Sequence, residues 1–218
     1  MTQPVSHPAF ILASSSPRRQ ALLRLLGIPF AVQGADIDET PFPQEESLAY
    51  VSRMAQTKAR TLAERFPHAW VLAADTSVIL GGEILGKPEN SPHATQMLRQ
   101  LRGKTHQVVT VWALEGRTPN GEVVQHLQTT QNHVLLHPMS DAEIERYVAS
   151  GDPLDKAGAY AIQNTEFRVV EAYDGCYAGI MGLPLCQVQE KLATCGFAVQ
   201  RVTHLATTTP CGCRYLSV

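Results

Sequence analysis

Two adjacent arginines follow a serine-rich turn near the start of the sequence. The turn is Ser14-Ser15-Ser16, and Ser16-Pro17 is a favourable start for a helix that carries Arg18 and Arg19 in its first turn. Cations at that position oppose the positive end of the helix dipole, so we expect an anion nearby. Free amides at a helix start and two guanidinium groups together favour the oxygens of a phosphate.

Further charged residues occur where a ligand site could use them. Asp75 comes directly after the apolar run 69–74, and ligands in α/β sheets lie beyond the carboxyl ends of strands. Lys58 falls on the apolar stripe of its helix, where a lysine needs a counter-charge or a route to the surface. The remaining charged positions of this kind are Glu39, Lys87 and the pair Asp155-Lys156.

The mixture of cations and carboxylates says more than either set alone. Taken singly, each residue also fits a solvated surface position or a capped end of an element. Cations alone suggest an anion-binding module, and carboxylates alone suggest a metal site. Together they match metal-assisted hydrolysis of a polyphosphate, which needs cations to offset oxygen charge, a divalent ion held by carboxylates, and a base for water.

The elements that must position these residues follow from hydrophobic periodicity and capping signals. Short apolar runs predict buried strands at 9–13 and 69–74, the second stopping at Asp75. Paired glycines predict a hairpin between residues 77–80 and 83–85. Further strands are predicted at 106–114, 123–136 and 197–202, and helices at 20–26, 47–66, from 91, 140–149 and 184–194. This order predicts an α/β protein with a mixed sheet.

Composition limits the classes of protein that remain. With 218 residues, 44% of them hydrophobic and 17% charged, the chain is long enough for one domain or two small lobes and is unlike a disordered protein. Lys and Arg number 18 against 20 Asp and Glu, so we expect no nucleic-acid partner held by a general positive field. With no long apolar run and no basic segment before a hydrophobic stretch at the N-terminus, we expect no membrane partner and a cytoplasmic location.

Eight segments, in this order and spacing, resemble one known protein family. They are Ala13-Ser14-Ser15-Ser16-Pro17-Arg18-Arg19, Glu39, Lys58, Ala74-Asp75-Thr76, Gly86-Lys87-Pro88, Gly103-Lys104-Thr105-His106, Asp155-Lys156-Ala157-Gly158-Ala159-Tyr160-Ala161-Ile162-Gln163 and Gly182-Leu183-Pro184. The family is the Maf-like nucleoside triphosphate pyrophosphatases, and the resemblance covers residues from about 10 to about 200. Eight ordered matches are more specific than any one of these motifs.

The resemblance implies a fold, an activity and a cofactor. The fold would be α/β, a mixed twisted sheet in two lobes around a cleft, similar to the inosine triphosphatase group. The activity would be hydrolysis of dTTP and UTP between the α and β phosphates, with modified pyrimidine triphosphates as further candidates. It would need a divalent cation, Mg or Mn, and a homodimer is common in the family.

The resemblance also implies residue roles, carried over position by position. Asp75 is similar to the proton acceptor, and Glu39 is similar to a carboxylate near the metal, with Asp75 as a second metal position. Arg18, Thr76 and Gln163 would set the preference for pyrimidines. The full set of implied substrate-binding residues is Ser14, Arg18, Arg19, Lys58, Thr76, Lys87, Lys156 and Gln163.

Two segments depart from the family pattern. After Gln163 the family usually continues with glycine, whereas this chain has Asn164-Thr165-Glu166-Phe167. Residues 207–218, which include Cys211 and Cys213, have no counterpart, so we expect a domain at 1–206 followed by a cysteine-containing tail. Two alternative functions stay open: a cell-division regulator of the septum that binds nucleotide without catalysis, and a hydrolase that removes deaminated purine triphosphates.

Overall fold

A computed structural model describes residues 10–118 and 120–202 of the chain. The predicted tail at 207–218, with Cys211 and Cys213, and the boundary at residue 206 lie outside the described residues. Among the helices of the described ranges, none has the length and apolar character that a membrane span requires.

A seven-stranded mixed sheet forms the centre of the described part of the chain. Its strands are β1 (Phe10–Leu12), β2 (Ala31–Val32), β3 (Trp70–Leu80), β4 (Glu83–Leu85), β5 (Thr105–Arg117), β6 (Val123–Leu136) and β7 (Val170–Asp174). The order across the sheet is β2-β1-β3-β5-β6-β7, and β4 pairs with β3 outside this order. The pairs that β1 makes with β2 and β3 are parallel, and all the others are antiparallel.

Helices cover both faces of this sheet. They are α1 (Pro17–Arg24), α2 (Ser47–Arg65), α3 (Ser91–Leu101), α4 (Asp141–Ala149), α5 (Tyr177–Ile180) and α6 (Leu185–Thr194), with two short 3-10 helices at Asp152–Asp155 and Ala157–Ala159. Ser16 caps α1 and Ser140 forms the predicted capping box of α4. The predicted α/β class with a mixed sheet is therefore confirmed.

Three hydrophobic clusters divide the core, and the alternation of side chains along β3 assigns them to faces. Val71 and Ala73 pack with α2 on one face. On the other face, Leu72 and Ala74 belong to a cluster with α1 and α6, while Val78 belongs to a separate cluster with α3 and α4. Between these two clusters lie Thr76 and, on β5, Thr110. The two clusters form the cores of the two lobes, and the cleft lies between them.

Two predicted strands differ from the structure. The strand predicted at 69–74 does not stop at Asp75 but continues as β3 to Leu80, because β5 pairs with it from Val71 to Ile79. The strand predicted at 197–202 is not formed. Its apolar residues, including Phe197 and Val202, pack against the first cluster instead, and the amide of Gln200 donates to the carbonyl of Leu26.

Candidate active site

The site lies at a gap in one edge of the sheet. β5 covers one edge of β3, so β1 and β4 must both pair with the other edge, β1 at residues 70–72 and β4 at 78–80. Residues 73–77 have no strand partner on that edge within the described part of the chain. A cavity of about 530 Å³ opens there. Asp75 and Thr76 are neighbours in this stretch and, because side chains alternate along a strand, they enter the cavity from opposite faces of the sheet.

Every residue predicted for the site lines this one cavity, although the residues come from distant parts of the chain. They are Ser14, Arg18, Arg19, Glu39, Lys58, Asp75, Thr76, Lys87, Lys156 and Gln163. The predicted convergence of cations and carboxylates is therefore present in the structure. The roles of the individual residues stay predictions.

A lysine joins two carboxylates on the α2 side of the cavity. The ammonium of Lys58 lies 2.8 Å from Oδ1 of Asp75 and 2.8 Å from Oε1 of Glu39. The side chains of Lys58 and Asp75 are 11% and 13% exposed, whereas that of Glu39 is 57% exposed. Lys58 thus has the counter-charges that its position on an apolar stripe required. Oδ2 of Asp75 has no hydrogen-bond partner among the described residues, so it is available to a ligand or a water molecule.

The loop that carries Glu39 is attached to α2 by Arg53. The guanidinium of Arg53 donates two bonds of 2.6 Å to the Glu45 carboxylate and one of 3.1 Å to the carbonyl of Thr40. It also lies over the ring of Phe42, 3.8 Å from the ring centre. The hydrogen bonds from Arg53 lower the pKa of Glu45 to about 2, so this carboxylate stays ionised and the attachment persists at neutral pH.

Tyr50 is a second attachment for the same loop and lines the cavity. Its hydroxyl donates to the carbonyl of Glu39 at 3.0 Å. Burial raises the pKa of Tyr50 to about 12, and the negative charges of Asp75 and Glu39 add to this effect. The hydroxyl therefore keeps its proton and remains a donor to the loop.

Arg19 enters the cavity from the other side and is held by three hydrogen bonds. Nε donates to the carbonyl of Gly182 at 2.9 Å, one terminal nitrogen donates to Oγ of Ser14 at 3.2 Å, and the other donates to Oγ1 of Thr76 at 3.0 Å. Burial lowers the pKa of the Arg19 guanidinium from its ordinary value, and the charge of Asp75 opposes that shift. An arginine remains protonated in proteins, so Arg19 is a fixed, partly desolvated cation in the cavity.

Gly182 allows this arrangement because it has no side chain. Its backbone φ is +113°, and a Cβ atom there would lie 3.2 Å from Nε of Arg19 and 3.4 Å from Oγ1 of Thr76. A glycine at this position therefore lets the chain after α5 approach both side chains closely.

Arg18 and Lys156 both lie next to Asp155. Arg18 is 3.5 Å from Oδ2 of Asp155, and the Lys156 ammonium is 2.6 Å from Oδ1. Lys156 also donates to the carbonyl of Asp152 and lies 3.1 Å from its carboxylate. The charge of Lys156 is thus shared with two acidic neighbours. Among residues 10–118 and 120–202, Arg18 has a single, long contact and is freer to bind an anion.

Lys87 and Gln163 are exposed and lie at the rim of the cavity. Neither makes a hydrogen bond or an ion pair with any residue in the described ranges. Their polar groups are therefore free to contact a ligand that enters the cavity.

The departure from the family pattern after Gln163 has a structural role. Nδ2 of Asn164 donates to Oδ2 of Asp152 at 3.0 Å, and Oδ1 accepts from the amides of Glu166 and Phe167 at 3.1 and 3.0 Å. The same Asp152 oxygen accepts from the buried Tyr147 hydroxyl at 2.7 Å. Asn164 therefore ties the turn after Gln163 to the 3-10 helix that leads to Lys156.

Thr110 was not predicted as a site residue from the sequence, and it is fully buried behind Thr76. Its hydroxyl lies 2.8 Å from that of Thr76 and donates to the carbonyl of Gly179 at 2.7 Å. The available signal was one hydroxyl residue inside the apolar stretch 108–114. This threonine is recognisable as a neighbour of the site only from the register of β3 against β5, in which Thr76 pairs with Thr110.

Comparisons with known proteins show what this chain is similar to. Residues 9–195 match the family model described as Maf-like protein. Similar curated proteins include a dTTP/UTP pyrophosphatase of Citrifermentans bemidjiense, 44% identical over 88% of this chain and 98% of its own length. Another is a dTTP/UTP pyrophosphatase of Myxococcus xanthus, 47% identical over 85% of this chain and 92% of its own length. Among solved structures, a HAM1 protein from Coxiella burnetii aligns over 86% of this chain and 100% of that one, with a TM-score of 0.47 and 17% identity.

Proposed function

This chain belongs to the Maf-like protein family, and on that premise we propose that it hydrolyses dTTP and UTP between the α and β phosphates, releasing the monophosphate and pyrophosphate. The observation that carries the proposal is the meeting of Asp75 with Arg18 and Arg19 in one cavity. A carboxylate and two guanidinium groups that line the same cavity suit hydrolysis of a polyanion better than binding alone.

The triphosphate binds to the cations of the cavity. Arg19 is already oriented by Ser14, Thr76 and Gly182, so little conformational entropy is lost when it contacts phosphate oxygens. Arg18 exchanges its long contact with Asp155 for a phosphate oxygen. Lys87 reaches the bound phosphates from the rim. Together these residues hold the chain of phosphates extended and the α phosphorus open to attack.

Asp75 acts as the base. Lys58 holds Oδ1, which leaves Oδ2 to accept a proton from a water molecule in line with the α phosphorus. As that proton moves to Asp75, the water oxygen bonds to the α phosphorus and the bond from phosphorus to the bridging oxygen breaks. The released pyrophosphate carries away the electron pair of that bond, and the cations of the cavity offset its charge.

The residues of the α2 side fit a divalent cation that is shared with the substrate. Glu39 and Asp75 already meet around one positive charge, that of Lys58. The described residues contain no group of three or more side chains that could hold a metal alone, and Mg²⁺ is commonly bound by one or two carboxylates together with substrate phosphates. When bound, Mg²⁺ or Mn²⁺ supplies positive charge to the phosphate oxygens. Glu39 would hold it together with the substrate phosphates, with Asp75 as the second carboxylate until it takes the proton of the water, and Lys58 keeps these carboxylates together.

Preference for pyrimidines is assigned to Gln163, with Arg18 and Thr76 as the other specificity positions. The Gln163 amide offers both donors and an acceptor at the rim, which suits the edge of a uracil or thymine base. The relatives named dTTP/UTP pyrophosphatase support this substrate pair, and neither the regulatory nor the purine alternative is favoured. A cytoplasmic location and a second copy of the chain as partner remain predictions.

Identification of the products tests the function. UTP, dTTP, CTP and GTP are each incubated with the full chain, with and without Mg²⁺, and the nucleotides and phosphates are separated. We expect UMP and dTMP with equimolar pyrophosphate, only with the metal, and slower reaction of CTP and GTP. Release of UDP with inorganic phosphate, or nucleotide binding without turnover, would contradict the proposal.

A further inference from the structure

Two hydroxyl groups form a series of hydrogen bonds that leads from the cavity into the core. Oγ1 of Thr76 lies 3.0 Å from a terminal nitrogen of Arg19 and 2.8 Å from Oγ1 of Thr110. Thr110 in turn lies 2.7 Å from the carbonyl of Gly179. Thr76 and Thr110 are directly paired across β3 and β5, so their side chains share one face of the sheet.

The acceptor at the buried end of this series determines which hydroxyl donates each hydrogen bond. The Gly179 carbonyl can only accept, so Thr110 uses its one proton there. The lone pair of Thr110 then accepts the proton of Thr76. The Thr76 oxygen is therefore left as an acceptor, and the Arg19 guanidinium, which can only donate, is the group that it accepts from.

Because Thr76 donates to Thr110, the fully buried Thr110 affects the Arg19 side chain in a cavity that Thr110 itself does not line. Without the Thr110 oxygen, the Thr76 hydroxyl could rotate and turn its proton toward Arg19, which would remove the acceptor. Chains of aligned hydrogen bonds also polarise one another, so donation to Thr110 makes Thr76 a better acceptor. Arg19 has five N–H donors, and three are used by Ser14, Gly182 and Thr76, so the Thr76 bond sets where the remaining donors point.

We propose that Thr110 is a positioning residue for the triphosphate: acting through the Thr76 hydroxyl, it holds the Arg19 guanidinium in the orientation that binds phosphate. The inference rests on the proposed function, because it assigns Arg19 to the substrate of that reaction. It also means that Thr76 does not donate a hydrogen bond to the uracil or thymine ring, since its proton is already committed to Thr110. Any effect of Thr76 on substrate preference is then exerted through Arg19.

The test compares the hydroxyl of Thr110 with a matched hydroxyl that is not hydrogen-bonded to Thr76. Thr110→Val keeps the shape of the side chain and removes the oxygen. Thr110→Ser keeps the oxygen. Thr130→Val is the control, because Thr130 is also buried and is paired with Thr110 across β5 and β6, but its hydroxyl donates to Gln187. KM and kcat for UTP are measured for each, together with Tm.

We expect Thr110→Val to raise KM about five- to tenfold, as the loss of one hydrogen bond would, with a smaller change in kcat. Thr110→Ser and Thr130→Val should remain within about twofold of the wild type. If Thr110→Val does not fold, Thr110→Ala and Thr110→Ser make the same comparison, since they differ by one oxygen.

A double-mutant cycle separates positioning through Thr76 from a general loss of stability. If Thr110 acts through Thr76, the variant with both Thr76→Val and Thr110→Val has the same KM as Thr76→Val alone. Effects that multiply in the double variant, or an equal KM for Thr110→Val and Thr130→Val, overturn the inference. Wild-type protein that releases no pyrophosphate from UTP or dTTP overturns the proposed function and this inference with it. Normal turnover by the wild type, together with an unchanged KM for UTP in Thr110→Val, overturns only this inference.

Discussion

The two faces of the sheet contribute different residues to the chemistry. The α2 face supplies the carboxylates Asp75 and Glu39 around Lys58, and the opposite face supplies Arg19 with its acceptors. Asp75 and Thr76 are adjacent on β3, so the proposed base lies next to the residue that holds Arg19, the cation proposed to bind phosphate. Water and phosphate can therefore be bound from different sides of one strand.

Replacement of Asp75 tests the proposed base. Asp75→Asn keeps the size of the side chain but cannot take a proton, so we expect kcat for UTP to fall by about a hundredfold or more with a much smaller change in KM. Asp38→Asn is the control, because Asp38 is an acid of the Glu39 loop that accepts from the Thr40 amide and does not line the cavity. Steady-state kinetics of pyrophosphate release measures both, and wild-type turnover in Asp75→Asn would refute the assignment.

The glycine beside Arg19 offers a second test of that residue. In Gly182→Ala the new methyl group presses on Nε of Arg19, so we expect KM for UTP to rise as well as a loss of stability of about 1 kcal/mol. Gly196→Ala is matched to it: Gly196 also has a positive φ, of +88°, but a Cβ there meets no atom of the described residues within 4 Å. Both variants should be less stable, and only Gly182→Ala should change KM. Equal KM values would show that Arg19 is not constrained at this point.

At the residue scale, sequence predicts chemical types better than contacts. Asp75, Lys58 and the two arginines were identifiable from their positions. Asp75 directly follows an apolar run, Lys58 falls on an apolar stripe, and the arginines lie in the first turn of a helix, where cations oppose the dipole. The contact between Lys58 and both carboxylates was not predictable, since it depends on how α2 and the loop before it pack on the sheet. Thr110 was missed because a lone threonine in a strand is ordinary until its cross-strand partner is known.

At the scale of elements, the site depends on where strands stop pairing. β3 itself continues to Leu80, but within the described ranges its partners β1 and β4 leave residues 73–77 uncovered on one edge. The prediction that the strand ends at Asp75 was wrong for a physical reason: the polar stretch Asp75-Thr76-Ser77 resembles a strand end, and the long pairing with β5 overrides that local signal. A single sequence contains no direct record of such pairing.

The turn after Gln163 provides a prediction for an element. Asn164→Gly restores the residue usual in the family but removes the bond to Asp152 and the acceptor for two amides. We expect the turn to loosen, so that KM for UTP rises severalfold and the ratio of kcat/KM between UTP and GTP falls, because Gln163 is less well placed.

The control for this prediction is Asn90→Gly. Asn90 caps α3 by accepting from the amide of His93 and does not line the cavity, so its loss should lower Tm without changing the ratio. If Asn164→Gly left the ratio between UTP and GTP at its wild-type value, the turn would have no part in base selection.

At the scale of the whole molecule, a buried histidine links stability to pH. His106 is 3% exposed in the core of the second lobe, where Nε2 pairs with the Tyr160 hydroxyl at 2.7 Å and Nδ1 has no partner in the described chain. Burial lowers its pKa to about 4. The folded state therefore holds His106 neutral at neutral pH.

Acid unfolding tests this coupling. In the unfolded chain His106 binds a proton as pH falls below about 6.5, whereas the folded chain binds it only near pH 4, so the unfolding free energy should decrease through that window by up to about 3 kcal/mol. His106→Gln cannot bind that proton. Urea unfolding from pH 7.5 to 4 should show the wild type losing more stability than the variant, and a difference that stays constant with pH would contradict the assignment.

The architecture as a whole was the most predictable level. An α/β class with a mixed sheet followed from the order of apolar runs and capped helices, and the two-lobed cleft followed from the resemblance. The strand predicted at 197–202 was wrong because apolar residues can pack on a core without joining a ladder, as Phe197 and Val202 do. Periodicity reports burial, and it does not distinguish these two ways of being buried.

The most direct test of the account follows the attacking oxygen. UTP is hydrolysed in water enriched in ¹⁸O, and the position of the label is read by mass spectrometry of the separated products. Attack of water on the α phosphorus, with Asp75 as base, predicts one labelled oxygen in UMP and none in pyrophosphate. Label in pyrophosphate or in inorganic phosphate would mean that water attacks a different phosphorus, and it would contradict the proposed arrangement of the triphosphate against Asp75.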